Sequence, residues 1–536
     1  MNSCGLPESW RVPTILYTLS LVNFAVAVTS ASISTALPVI GNDIGASSIE
    51  TFWLGTSFYL SSTVFQPLSC LLSDVFGRKT AILTSIAIFA IGSLVSGLSH
   101  AFANLIPGRC LQGLGAGSIS VLSEVILTDI VPLRARGRWF GIIGIVTTLG
   151  FLCGPLIGGA FAELASWRWI FYINLPFAGI GLVLLSVLLQ LEAETTPIRA
   201  RFSNVDFIGI ALFIPSTSSF LVAITWGGVL YPWYSWHTLV PLIVGALGLV
   251  IFTVYEHYVP PNPFVSPCIY RSISSTVNYF GIFILGMVMW MILYYLPLYY
   301  EAVKGYNMIV SGVALFPQTL TVGPVGIAVS IAIAKMGRYR WAVWLGWTLS
   351  TMGLGILRLL GVDTAVRQWI FINLPGGVGF GLLTPSIMLA IQASAPAEFL
   401  AISVTMVTTL RSFGRAVGVA IGGVIFQNRM RACLDRIPRL ADRAPELSHD
   451  ASALVQVIGA MSDSADRSSL KAAYAQSLAD VWLATCCLSA VALISSGFLK
   501  SYSMDQDLRT CQPLRGSRHQ RRGDNISPQM TKNQVA

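Results

Sequence analysis

Residues 66–80 read QPLSCLLSDVFGRKT, and this stretch decides the fold. It lies between two apolar runs, 51–72 and 81–99, and places an acid, a glycine and two bases within residues 74–79. Two apolar helices joined by so short a charged link must form a hairpin that leaves and re-enters a membrane on one side, because backbone polar groups in hydrocarbon have to be satisfied within each segment.

Outward from this hairpin the same texture continues. The chain has 536 residues, 54% hydrophobic and 11% charged, with a mean hydropathy of +0.70, far from the quarter-charged composition of soluble domains. Apolar runs of about twenty residues, each long enough to cross ~30 Å of hydrocarbon as a helix, recur throughout. A β-barrel would instead show short alternating segments. The expected fold is an all-α membrane protein with fourteen spans at 14–37, 52–72, 81–99, 104–127, 139–161, 170–190, 206–228, 237–255, 276–299, 309–333, 342–361, 369–392, 400–425 and 475–499.

The net charge of +9 reads as topology rather than as nucleic-acid binding. Eleven bases lie in short loops on one side (Arg78, Lys79, Arg134, Arg136, Arg138, Arg199, Arg201, Arg271, Lys335, Arg338 and Arg340), against Arg168, Lys304 and Arg367 on the other. The positive-inside rule then puts the Asp74 loop and both termini in the cytoplasm. The nine cysteines show no C-x-x-C, and the five histidines are scattered, so neither a disulfide framework nor a metal centre is expected. There is no nucleophile elbow and no G-x-x-x-x-G-K-[ST] loop, so no enzyme, no ATP-driven pump and no cofactor is expected. The first span is too long for a signal-peptide core and is expected to stay as an uncleaved helix.

The expected organisation is an N-terminal bundle (1–191), an inserted helix pair (192–262), a C-terminal bundle (263–500) with an outer loop at 427–474, and a basic cytoplasmic tail (501–536). The outer loop mixes Arg429, Arg431 and Arg436 with Asp435, Glu446, Asp450, Asp463 and Asp466, and reads as a solvated, partly helical cap. The tail suits a disordered segment near anionic lipid. Its Asn525-Ile-Ser sequon falls on the wrong side of the membrane for glycosylation. The string A334-K-M-G-R-Y-R-W looks like a worn copy of the 74–79 loop without its acid, which hints at an internal repeat. The strings W-I-F-Y-I-N-L-P (169–176) and W-I-F-I-N-L-P (369–375) echo each other out of register with that repeat.

Asp74, Gly77, Arg78 and Lys79 resemble the loop motif G-x-x-x-D-x-x-G-R-K/R of the major facilitator superfamily, with Cys70 in place of its first glycine. Arg109, Gln112, Gly113, Gly115 and Gly117 resemble its R-x-x-Q-G-x-G-x-G. Gly150, Gly154, Pro155, Gly158 and Gly159 fill G-x-x-x-G-P-x-x-G-G, the string that marks antiporters within the superfamily. Ala36-Leu37-Pro38, the 65–68 string FQPL, the 131–137 string VPLRARG, the 296–299 string LPLY and Arg411 with Gly418 extend the likeness to the fourteen-helix drug:proton antiporter branch, of the fungal multidrug and toxin exporter type. The resemblance covers about residues 14–500 and implies two six-helix bundles around a central cavity.

It also implies roles. Arg109 would handle substrate or protons, although it could instead snorkel to the outer surface. Asp74, with Arg78 and Arg138 nearby, would meet the cytoplasmic start of the thirteenth helix, near 397–403, and hold the cytoplasmic gate shut; a purely topogenic loop is the alternative. The branch usually carries an aspartate nine residues before the final proline of helix 1, where this chain has Thr29. Without that acid, Arg109 must rely on water or on neutral groups such as Ser30, Ser32, Ser34 or Gln112, and either Glu124 or Asp480 becomes the candidate proton carrier or Arg109 couples through water. Asp480 is a candidate partner for Arg415. Trp290, Tyr294 and Arg411 are candidate cargo contacts, whereas Tyr299 and Tyr300 suit an interfacial belt.

The function expected is a secondary transporter that exports small hydrophobic organic compounds (a toxin, secondary metabolite or drug) by proton antiport. A siderophore or other cargo, or a transport-dead membrane sensor, are the alternatives. Its expected partners are the cargo, protons and the lipid bilayer, with no nucleic acid; a monomer in the plasma membrane is expected, a vacuolar or vesicular membrane being the alternative.

Overall fold

The computed structural model describes residues 10–504 apart from 47, 192–196, 229, 437–443, 445–447, 449, 450 and 462–464. The basic tail beyond 504, the Asn525 sequon and much of the outer-loop charge therefore lie outside the described residues. The described residues form fourteen long helices. In chain order they are α1 (Arg11–Ile44), α2 (Ser48–Phe76), α3 (Arg78–Gly97), α4 (Phe102–Ile130), α5 (Leu133–Leu164), α6 (Trp169–Leu188), α7 (Phe207–Trp226) and α8 (Trp236–Tyr258). Beyond them come α9 (Ile273–Ala302), α10 (Phe316–Met336), α11 (Arg340–Ile356), α12 (Val366–Ser394), α13 (Leu400–Leu434) and α14 (Ala465–Ser496). Thirteen are long and apolar enough to cross a membrane. The remaining one, α2, has 29 residues, and at about 1.5 Å per residue it is also long enough.

Two glycines make the sharpest corners. Gly77 adopts φ +91° between α2 and α3, and Gly337 adopts φ +65° after α10. A side chain at either position would be strained, so both loops turn on a glycine, although in different conformations, with ψ +148° at Gly77 and +17° at Gly337. The repeat runs through the packing as well. Helix α1 packs on α5 and α6, α2 on α4, and α3 on α4 and α6; α9 packs on α13 and α14, α10 on α12, and α11 on α12 and α14. Helices α7 and α8 pack on each other, and α7 leans on α2 and α13. Contact between the two sets of six runs mainly through α5 with α10 and α2 with α13.

Close backbone approach sets the equivalence in detail. A Cβ built on Gly154 would lie 3.0 Å from Val28 O and Ser32 N, and one on Gly158 would lie 2.1 Å from Ser32 O. On the other side, Gly414 faces Phe283 O and Met287 N in the same way, and Gly418 faces Met287 O at 2.4 Å. Gly154 thus corresponds to Gly414, and the residues that follow them, Pro155 and Arg415, occupy equivalent places. Such small-residue faces let helices meet where lipid offers no hydrophobic drive for association.

One expectation needs correction, and two helix ends lie further along than expected. In the segment 427–474 α13 continues to Leu434 and α14 begins at Ala465. Met430, Leu434, Leu470 and Tyr474 are buried there, with Phe426 and Tyr474 in edge contact at 4.9 Å, so apolar packing carries both helices past the spans expected. Tyr299 and Tyr300 are fully buried rather than interfacial. Tyr299 donates to Gly361 O at 2.8 Å, and Asn373 Nδ2 donates to the Tyr300 hydroxyl at 2.7 Å.

Candidate functional site

The 74–79 loop folds around a buried arginine. Arg78 is 4% exposed; its guanidinium meets Asp74 at 2.5 Å and Asp129 of α4 at 3.2 Å, and it also donates to the Ser73 hydroxyl. The loop is therefore an ion-paired plug on the ends of α2, α3 and α4. Arg201 donates to the Asp74 carbonyl at 3.1 Å, and Lys79 donates to Ser186 O at 2.6 Å. Arg138 is exposed, and Arg136, two residues earlier, is the buried one. Arg136 donates to Val131 O at 2.8 Å, to Thr128 O at 2.8 Å and to Gln392 Oε1 of α12 at 3.1 Å. Successive helical residues are turned by about 100°, so in a cluster of arginines only one can point inward here.

Arg109 does not snorkel. It is fully buried, donating from Nε to Leu54 O at 2.9 Å and from Nη1 to Gln112 Oε1 at 2.9 Å, with its guanidinium over the Phe58 ring at 4.5 Å. Gln112 passes the chain on to Ser93 at 2.8 Å. Of the neutral partners considered, Gln112 is the one used, joined by a carbonyl and a ring of α2. Thr29 lies elsewhere, its hydroxyl 2.7 Å from Asn174 Oδ1 on α6 and 2.8 Å from Ala25 O. Nothing charged needs to face it there.

The α5 glycines serve α1. Gly150, Gly154 and Gly158 press on its backbone, whereas Gly159 faces open space. The Pro155 carbonyl accepts from the Thr35 hydroxyl at 3.2 Å.

The seam between the two sets of helices brings together residues that are far apart in sequence. Glu124 of α4 accepts from the Thr408 hydroxyl at 2.5 Å and from Arg411 Nη2 at 3.2 Å, both on α13. The Glu124 side chain is 14% exposed and that of Arg411 31%. Gln66 of α2 donates to Ser412 at 3.3 Å. Below them, towards the Asp74 loop, Gly137 faces Ser330 and Leu389, Gly141 faces Ile327, and Gly323 faces Ile145. All these contacts lie between mid-depth and the loop face, and together with Arg136–Gln392 they close that face.

At mid-depth, one turn beyond Arg411, the Arg415 guanidinium sits 4.8 Å from the Tyr59 ring centre and 4.9 Å from that of Trp290. Phe151 meets Trp290 edge-on at 5.7 Å. Of the expected cargo contacts, Trp290 and Arg411 are therefore at the seam, while Tyr294 is 43% exposed and stacks edge-on to Tyr295. Asp480 does not pair with Arg415: its carboxylate lies 3.0 Å from Arg429 Nε, nearer the end of α13 away from the loop. The aromatic rings claim Arg415 instead. Arg136, Asp129, Thr408, Gln392 and Tyr59 were not singled out in sequence, because each matters through a partner on another helix. No group of three or more His, Cys, Asp or Glu residues that could hold a metal occurs among the described residues.

Three comparisons bear on this arrangement. Residues 19–419 match the family description Major Facilitator Superfamily. The chain is 46% identical over 501 residues to "MFS transporter L2" of Phoma sp., covering 94% of this chain and 84% of that one. It is 33% identical to "Efflux pump FUS6" of Gibberella fujikuroi, with 92% and 90% covered. Among solved structures it is similar to the human transporter MFSD10 (TETRAN), with a TM-score of 0.54, 16% identity and 90% and 100% of the two chains covered, which speaks for the fold alone.

Proposed function

The chain belongs to the Major Facilitator Superfamily, and from that membership we propose that it exports small, largely hydrophobic organic compounds by alternating access, with protons moving the opposite way. It is a transporter with a multi-pass helical fold, not an enzyme. The export direction draws on relatives named efflux pumps and on the glycine string of α5.

The observation that carries the coupling is the Glu124–Arg411 pair across the seam. A carboxylate on one bundle, held by a guanidinium and a hydroxyl on the other, is a latch that a proton can open. Protonation removes one charge of the pair, and the loss is worth on the order of 1–3 kcal/mol for a partly buried, charge-assisted contact. The loop face then loses a tie and opens. Release of the proton to the cytoplasm restores the latch and closes that face again, so cargo admitted there leaves on the other side. Arg109 and Gln112 keep α2 seated on α4, and Arg78 with Asp74 and Asp129 keeps the hairpin rigid while the bundles rock. Asp480, paired away from the seam, plays no part in coupling. The reading carries with it a monomer in the plasma membrane, with both termini in the cytoplasm.

The test is cargo efflux from proteoliposomes under an imposed proton gradient, with and without a protonophore. Glu124→Gln should abolish proton-driven efflux and keep passive cargo exchange. Efflux by Glu124→Gln that still follows the gradient like the parent protein would rule the latch out.

A further inference from the structure

The seam holds a charge that the latch does not use. Of the guanidiniums at or near it, Arg109 is fully buried against Leu54, Gln112 and Phe58, its Nη2 left without a hydrogen-bond partner and out of reach of any cargo, and Arg411 is neutralised by Glu124. Arg136 is spent on two carbonyls and Gln392. Arg415 alone among these has no carboxylate and no hydrogen-bond acceptor among the described residues, and it keeps part of its surface accessible.

Three helices build its surroundings. Tyr59 comes from α2, its hydroxyl fixed on Ser30 O at 2.9 Å; Trp290 comes from α9, and Phe151 of α5 braces it. The rings attract the cation through their faces, but they offer nothing to its five N–H donors. A guanidinium within a spanning helix is costly unless it is paired or wet, and such groups face pathways. The balance at this level is two positive charges, Arg411 and Arg415, against one negative, Glu124, a surplus of one positive charge.

We infer that Arg415, boxed by Tyr59 and Trp290, is the recognition element for an organic anion: a cargo whose carboxylate or acidic enolate meets the guanidinium while its flat apolar body lies against the two rings. A neutral cargo would leave the donors unmet, and a cationic one would be repelled. The site also stands where Pro155 sits in the other bundle, so the bed that presents Arg415 is already duplicated in the fold. The inference rests on the reading that cargo passes through the seam, but it is independent of whether protons drive that passage.

The experiment uses the full chain in lipid nanodiscs and two matched probe pairs, 1-pyrenebutyrate with 1-pyrenebutanol and 9-anthracenecarboxylate with 9-anthracenemethanol, read by fluorescence anisotropy. The expected result is that each acid binds about tenfold to a hundredfold more tightly than its alcohol, the ratio for one charge-assisted hydrogen bond. Arg415→Gln should erase the ratio, and Arg415→Lys, which keeps the charge, should restore most of it. A structural role alone would weaken acid and alcohol together and leave the ratio unchanged. Equal binding within both pairs, or no binding of either acid, overturns the inference, as does an acid preference that survives Arg415→Gln. Efflux by the parent protein that ignores the proton gradient, with the acid preference intact, would count against the proton latch alone.

Discussion

Arg136 of α5 and Gln392 of α12 are joined at 3.1 Å across the seam, and the same guanidinium donates to the Val131 and Thr128 carbonyls at the end of α4. The bond is a strut between the bundles at the loop face, built from a residue that the sequence offers as one of three equal arginines.

Arg136→Ala removes all three bonds and should lower stability by about 2–4 kcal/mol, a range set by hydrogen bonds to a charged group. Thiol labelling of a cysteine placed at Leu389 should speed up, because the loop face opens more often. Arg138→Ala, at an exposed position, should change neither reading.

The α5 glycines should separate into two classes. Gly158→Ala drives a methyl to 2.1 Å from a backbone oxygen of α1 and Gly154→Ala to 2.6 Å from the Ala31 methyl, whereas Gly159→Ala meets nothing within 4 Å. The first two should cost about 1–3 kcal/mol or more through overpacking. Thermal unfolding in detergent should show the drop for Gly154→Ala and Gly158→Ala and none for Gly159→Ala.

Asp480 pairs with Arg429, both about one-third exposed. Such a pair contributes about 0–1 kcal/mol. Asp480→Asn is expected to leave both stability and the protonophore sensitivity of efflux near the parent values; a loss of proton dependence would move the coupling site to α14.

At the end of α1 away from the loop, Asp43 accepts from Trp167 Nε1 at 2.9 Å and from Arg168 at 3.2 Å. The Trp167 hydrogen bond, ahead of Arg168, holds this carboxyl below its usual 3.8. A depressed carboxyl stabilises the folded state above its unfolded value and loses that effect as pH falls through the folded one. Parent protein and Asp43→Asn should therefore differ in melting temperature at neutral pH and converge in acid below the ordinary carboxylate range.

What the sequence made legible follows from range. Span number and order came from local hydropathy, and the Arg109–Gln112 bond joins residues three apart on one helix, where neighbours are fixed by the helical turn. The hairpin at residues 74–79 was visible because so short a charged link between two apolar runs leaves the chain no other path. Tyr299 and Tyr300 were misjudged because aromatics near a span's end look alike whether they face lipid headgroups or a neighbouring helix. The choice of Arg136 over Arg138, and the capture of Arg415 by Tyr59 and Trp290, depend on contacts between helices hundreds of residues apart. No local pattern reports those.

Gly154-Pro155 and Gly414-Arg415 show the same backbone bed carrying opposite side chains. One face of α13 is committed to its neighbour α9 through glycines that tolerate no change, while the face one residue on is free of that duty. A division of labour of this kind makes the protein evolvable. The residue at 415 can be exchanged, and with it the chemistry the passage prefers, without disturbing the joint that keeps the bundle whole.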